Sequence, residues 1–172
     1  FMFMNTRRCF LILLLSFCFA SFLAAQSEKP ALSLAGIFGD HMVIQQQTDA
    51  AIWGRGTPGG KVLVQLSWTR GVGKAVVDEQ GDWKTTIKTP AAGGPYQIAV
   101  VSGDEKIELK DVLFGEVWIC SGQSNMQWKM RGFGLEQFRE DVEKAKYPNI
   151  RYAQVPPTIA LEAQDSIQAK WT

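Results

Sequence analysis

The sequence contains very little histidine and cysteine, the side chains that most often bind transition metals. Its 172 residues include one histidine, His41, and three cysteines. Neither a Cys/His spacing typical of zinc sites nor a glycine-rich phosphate loop occurs. Three acidic residues, Asp78, Glu79 and Asp82, crowd one hairpin, but they lack regular ligand spacing and are better explained as a solvated turn. We therefore expect neither a metal nor a cofactor.

An excess of one charge is also absent. Eighteen Lys and Arg residues face 17 Asp and Glu residues, which gives a formal net charge of +1. A balance this close to neutral provides no electrostatic argument for nucleic acid or for an anionic membrane surface as a partner.

Long apolar runs are absent after the first 25 residues. Residues 4–25 read MNTRRCFLILLLSFCFASFLAA, with two arginines, then an apolar stretch, then small residues. This layout is typical of a secretory signal peptide, here over residues 1–25, cut after Ala25 or Gln26. An uncleaved membrane anchor is the alternative, since the run is close to spanning length. We expect a secreted or periplasmic protein with no other membrane association.

The cysteines exclude a disulfide framework in the mature chain. Cys9 and Cys18 lie within the predicted signal peptide, which leaves Cys120 alone. One cysteine cannot form an internal disulfide. Because Cys120 belongs to an apolar stretch and free cysteines are usually buried, packing is its expected role.

The region from residue 30 to residue 113 has the pattern of an antiparallel β-sandwich module. KVLVQLSW alternates apolar and polar residues, and residues 80–82 supply a hairpin turn before a second alternating stretch. Short strands separated by turn signals at this spacing are typical of sandwiches. Trp53 and Trp83 lie in these strand patterns and are expected in the core.

The pattern changes over residues 114–172. Residues 116–120, EVWIC, lack alternation and predict a strand buried on both faces, with Trp118 in the core. Residues 134–147 predict an amphipathic helix, and residues 149–155 a second strand. The helix places apolar residues at helical spacing: Leu135, Phe138, Val142 and Ala145. This order indicates the truncated start of an α/β domain, because about 60 residues are too few to complete a parallel layer.

The predicted buried strand runs directly into the polar stretch 121–125, SGQSN. A serine at the carboxyl end of a buried strand lies at the mouth of an α/β sheet, where ligands bind. Gly122 permits a tight turn, and backbone N–H groups there can stabilise an oxyanion. Ser124 is therefore a candidate nucleophile, and an ordinary polar turn is the alternative.

The string LKDVLFGEVWICSGQSNMQW closely resembles the signature of the sialate O-acetylesterase family, whose α/β domain belongs to the SGNH hydrolases. Three upstream stretches, IFGDHMVIQQQ, DEQGDWKTTI and AGGPYQIAV, resemble family motifs in the same order. The resemblance runs from about Leu32 to Gln127. It implies a flavodoxin-like three-layer α/β domain and hydrolysis of O-acetyl esters on sialic acids or related sugars. Ser124 would be the nucleophile, and its backbone N–H an oxyanion donor.

The sequence departs from this family in its catalytic partners. SGNH enzymes carry an Asp-x-x-His near the end of the domain, and none follows Ser124 here. His41 lies where the family does not place its base, so we expect it to be structural or surface-exposed. The reading frame looks open at one or both ends, and we expect the 172-residue chain alone to be inactive or nearly so.

Two other functions stay open at this point. The first is a non-catalytic carbohydrate-binding β-sandwich module with a degenerate esterase remnant. The second is an acetylesterase that acts on a plant polysaccharide such as acetylated xylan. The predicted partner is a carbohydrate in every case. For the two esterases it is an acetylated sialic acid or another O-acetylated sugar.

Overall fold

A computed structural model describes residues 31–128, 136–164, 167 and 169–172. The predicted signal peptide, with its possible anchor, and Leu135 of the predicted helix lie outside these residues. Residues 31–115 form eight strands: β1 (Ser33–Leu34), β2 (Val43–Gln45), β3 (Asp49–Arg55), β4 (Lys61–Leu66), β5 (Val72–Val76), β6 (Asp82–Lys88), β7 (Gly93–Ser102) and β8 (Glu105–Gly115). This part of the chain is rich in sheet, as predicted.

Five of these strands form a mixed sheet in the order β2-β8-β7-β4-β5. β2 runs parallel to β8, with Val43 opposite Leu113, while the other neighbours in this sheet pair antiparallel. The remaining strands form an antiparallel sheet in the order β1-β3-β6. Strand β4 alternates buried and exposed residues along its first five positions, as its sequence predicts for a sheet with one covered face.

Side chains from both sheets meet in one apolar cluster. Ile52, Trp83 and Ile87 come from the three-stranded sheet, and the five-stranded sheet contributes Val62, Val64, Ile98, Val100, Leu109 and Val112. The sheets approach closely where β5 meets β6. There the buried Thr85 hydroxyl donates to the Lys74 carbonyl at 3.1 Å, and a Cβ on Gly73 would lie 3.0 Å from Thr85 Cγ2. A small residue on β5 therefore lets the two sheets share a continuous core.

The tryptophans divide according to this core. Trp83 is buried, as predicted, and its indole Nε1 donates to the Arg55 carbonyl at 3.1 Å. Trp53 is half-buried and meets Phe38 edge-on, with ring centroids 4.7 Å apart. The predicted burial of Trp118 is wrong, because that side chain is 83% exposed.

The predicted buried strand at residues 116–120 is also wrong. These residues form no strand, Ile119 is 93% exposed, and the Cys120 side chain is exposed rather than packed. Within the described ranges no neighbouring strand pairs with this stretch and no layer covers it. An apolar sequence becomes a buried strand only where other elements supply hydrogen-bond partners and cover.

The elements that follow are short. A 3₁₀ helix spans Ser124–Gln127, another spans Glu136–Phe138, and helix α1 spans Arg139–Lys144 without burying a residue. β9 (Ala153–Gln154) pairs antiparallel with β10 (Lys170–Trp171), so the second predicted strand is shorter than expected and makes no parallel pair here. No helix in the described part of the chain is long and apolar enough to cross a membrane.

Replacement of Ile52 by Ala tests the shared core. Ile52 is fully buried, so removing three carbon atoms leaves a cavity that both sheets line. We expect the free energy of unfolding in urea to fall by about 2–5 kcal/mol. The matched control is Val76→Ala on edge strand β5, where the side chain is 63% exposed and the change should stay within about 0.5 kcal/mol. Equal losses at the two positions would contradict the assignment of the core.

Candidate active-site segment

The serine turn is held by local backbone hydrogen bonds. The Met126 N–H donates to the Gln123 carbonyl at 2.8 Å, and the Trp128 N–H donates to the Asn125 carbonyl at 3.3 Å. The Met126 side chain folds back over Gly122, where an added Cβ would lie 2.5 Å from Met126 Cγ. A side chain at Gly122 would therefore displace Met126, whose side chain is 53% exposed.

Ser124 begins the 3₁₀ helix and is exposed. Among the described residues its hydroxyl makes no hydrogen bond, so neither a base nor an orienting acid lies against it there. Three apolar side chains near it along the chain are also exposed: Trp118, Met126 and Trp128. An acyl group could reach the hydroxyl from solvent, which keeps the nucleophile prediction open.

A second group of polar residues, which we call the Asp111 cluster, comprises His41, Asp111 and Arg151. His41 Nδ1 lies 2.7 Å from Asp111 Oδ2, and the His41 side chain is 59% exposed. Both residues adopt left-handed backbone conformations, with φ of 66° and 55°. The hydrogen bond from His41, followed by that from Arg151, lowers the pKa of the Asp111 carboxyl below its ordinary value.

Arg151 brings the later part of the chain against the sheets. Its guanidinium donates to both Asp111 carboxylate oxygens at 3.0 Å, to the His41 carbonyl at 3.0 Å and to the Asp111 carbonyl. The Arg151 side chain is only 12% exposed. Nearby, Trp171 of β10 donates from Nε1 to the Ile37 carbonyl at 2.8 Å. The Asp111 cluster therefore docks the β9–β10 pair onto the β-rich region.

Sequence reasoning missed this cluster. Asp111 and Arg151 are 40 residues apart, and His41 lies 70 residues before Asp111. At separations this long, neither side-chain periodicity nor a local motif indicates that two residues meet. The spacing of these three residues in the sequence also matches no known catalytic or metal-binding motif. His41 was expected to be structural or surface-exposed, and its side chain is exposed.

A third group, which we call the glutamine clamp, comprises Gln45, Gln46 and Glu116. The Gln45 and Gln46 amides donate to the two Glu116 carboxylate oxygens at 3.0 and 2.8 Å, respectively. These bonds, that from Gln46 first, lower the pKa of Glu116. The clamp holds the point at which the chain leaves β8 for the serine turn.

The pKa of Asp111 predicts an acid-sensitive contact. Because the folded pKa lies below the ordinary value of 3.8, ionised Asp111 stabilises the fold above that value, and this stability is lost as the pH falls through the lowered folded pKa. We expect Asp111→Asn to lower Tm at pH 6, and the gap from wild type to shrink as the pH falls towards 2.

The control for this measurement is Asp104→Asn. Asp104 is an exposed carboxylate that makes no ion pair among the described residues. Thermal melts of both variants across pH 2–6 should show a pH-dependent gap for Asp111→Asn alone. A gap that stays constant down to pH 2 would refute a role for the ionised carboxylate.

The chain resembles known carbohydrate esterases in structure. A carbohydrate acetylesterase from Xanthomonas citri superposes with a TM-score of 0.71 at 28% identity, covering 81% of this chain and 32% of that chain. The similarity extends over most of this chain and places its fold with that of a carbohydrate acetylesterase. No protein-family model matches the chain.

Sequence relatives identify the family. Proteins named sialate O-acetylesterase from Pongo abelii and Homo sapiens are 35% and 33% identical to this chain, over 87% of its length. A third, from Rattus norvegicus, is 32% identical over 80% of it. The resemblance predicted from the motifs is confirmed: over the segment that matches, the chain belongs to the sialate O-acetylesterase family. It spans about a third of these relatives, 31% of the first two.

Proposed function

We propose that this chain supplies the nucleophile-bearing part of a carbohydrate O-acetylesterase that removes acetyl groups from sialic acids or related sugars. The observation that carries the proposal is the exposed Ser124 hydroxyl, in a segment related to sialate O-acetylesterases at 31–35% identity. The name of the Xanthomonas citri neighbour supports the broader substrate class of acetylated carbohydrates.

In the proposed reaction, Ser124 Oγ attacks the acetyl carbonyl carbon while a base accepts the serine proton. The bond between the carbonyl carbon and the sugar oxygen then breaks, and the sugar leaves with a proton as the free alcohol. Water attacks the resulting acetyl-serine and releases acetate. The Ser124 N–H stands at the start of the 3₁₀ helix, where N–H groups have no partner within the helix, and suits an oxyanion donor.

The base and its orienting acid, in this proposal, come from sequence outside these 172 residues. His41 is the single histidine of the chain, and its Nδ1 is engaged with Asp111 at 2.7 Å. The same carboxylate accepts from Arg151 at both of its oxygens. Among the described residues His41 makes no hydrogen bond with Ser124, so in this proposal a His from another segment pairs with Ser124.

We propose that the chain comprises two structural regions. Residues 30–113 would form a β-sandwich module, and residues 114–172 the start of an SGNH-type α/β domain. The division is supported by the end of the sheet-rich region near Gly115, after which the described elements are short.

The test of the nucleophile uses the chain extended to the length of its relatives. We expect Ser124→Ala to lower kcat for acetate release from an O-acetylated sialic acid by about 10³-fold or more, because the nucleophile itself is lost. Ser121→Ala, in the same turn, should retain activity, and so should His41→Ala. Parallel assays on acetylated xylan would distinguish a plant polysaccharide substrate.

Two results would overturn the proposal. One is full activity of Ser124→Ala in the extended chain. The other is hydrolysis by the purified 172-residue chain that Ser124→Ala abolishes, since these residues would then contain the base. Sugar binding without hydrolysis by the extended chain would favour the non-catalytic module instead.

We also propose that residues 1–25 direct export and are then removed. The support is the sequence order of arginines, apolar residues and small residues. Expression with this segment should give a secreted or periplasmic protein whose amino terminus, read by mass spectrometry, begins after Ala25 or Gln26. Retention of the segment on a membrane-bound protein would favour the anchor.

A further inference from the structure

We propose that the glutamine clamp positions Ser124 by fixing the direction in which the chain leaves the β-rich region. Gln45, Gln46 and Glu116 are positioning residues in this view, since none of them needs to touch the substrate. The inference rests on the proposed function, because it requires Ser124 to be the nucleophile.

The clamp begins where backbone pairing stops. The parallel register of β2 and β8 ends with Gln45 opposite Gly115. Beyond that point the Gln45 side chain continues the contact: its Oε1 accepts from the Val117 N–H at 2.9 Å, and its Nε2 donates to Glu116 Oε2 at 3.0 Å. One amide therefore holds two successive residues of the outgoing chain.

Gln46 closes the clamp from the other side. Its Nε2 donates to Glu116 Oε1 at 2.8 Å, and its Oε1 accepts from the Ala92 N–H at 2.7 Å. Its backbone N–H donates to the Gly115 carbonyl at 2.9 Å. Both Glu116 oxygens thus have an amide donor, and the carboxylate is tied through Gln46 to the chain just before β7.

This clamp is the last hydrogen-bonded attachment to the sheets before the serine. Among the described residues from 118 to 128, the hydrogen bonds are local to the turn, from Met126 to Gln123 and from Trp128 to Asn125. A rotation of the chain at Glu116 would therefore be carried along to Ser124. Displacing a reacting group by about 1 Å can cost on the order of 10²-fold in rate.

An exchange of charge between Gln46 and Glu116 separates positioning from other effects. Glu116→Gln brings an amide N–H₂ against the Gln46 N–H₂, and Gln46→Glu brings two carboxylates together, so each single variant breaks the clamp. In the double variant, the carboxylate at position 46 still accepts from Ala92 and now accepts from position 116. The amide oxygen at position 116 still accepts from Gln45, and the net charge is unchanged.

We expect each single variant, in the chain extended to the length of its relatives, to lower kcat by about 10- to 100-fold with KM within about twofold. The double variant should recover kcat to within about threefold of wild type. Acetate release would be measured at a temperature where circular dichroism shows every variant folded.

Two controls address stability and charge. Ile87→Val loosens the shared core at a buried position on β6 and should lower Tm while kcat stays unchanged. Glu108→Gln removes an exposed carboxylate of β8 that pairs with Lys106 at 2.6 Å, and it should change neither Tm nor kcat appreciably.

The outcomes separate this inference from the proposed function. Wild-type kcat in both single variants, while Ser124→Ala is inactive, would overturn the clamp and leave the esterase proposal standing. A double variant as impaired as the singles, or an equal loss of kcat in Ile87→Val, would also overturn it. Full activity of Ser124→Ala would remove the proposed function and the clamp's role together.

Discussion

The parallel pairing of β2 with β8 is the constraint on which both polar groups depend. Val43 lies opposite Leu113, so the residues two positions earlier, His41 and Asp111, also come together. At the other end of the same register, Gln45 lies opposite Gly115 and reaches the next residue along, Glu116. A slip of β2 by one residue would move His41 and Gln45 out of line with Asp111 and Glu116 and break both groups.

This register creates two of the points at which the later part of the chain is attached to the sheets. The glutamine clamp holds the chain as it leaves β8, and Arg151 returns it to the opposite end of β2 by binding Asp111. The serine turn lies between these attachments in the sequence. Packing of apolar side chains secures the sheets, whereas the segment beyond Gly115 depends on directional hydrogen bonds, in six of which a charged group takes part.

Where the sequence predicted well, the signal was local or was carried by a family motif. Alternation in KVLVQL foretells strand β4 because side chains on successive strand residues point to opposite faces. The family followed from ordered motifs, and the relatives confirm it. Residues 116–120 show the limit of sequence-based prediction. An apolar run without alternation is typical of a buried strand, but the run forms one only where neighbouring elements are present to pair with it and cover it.

The sequence by itself determined the strands of the β-rich region and the family, since these depend on side-chain period and on short motifs. The tertiary structure alone decided that His41 serves Asp111, that Arg151 docks the last strands, and that two glutamines hold Glu116. Each of these contacts joins residues 40 or more positions apart. Such contacts arise from strand register, and the sheet must form before that register exists.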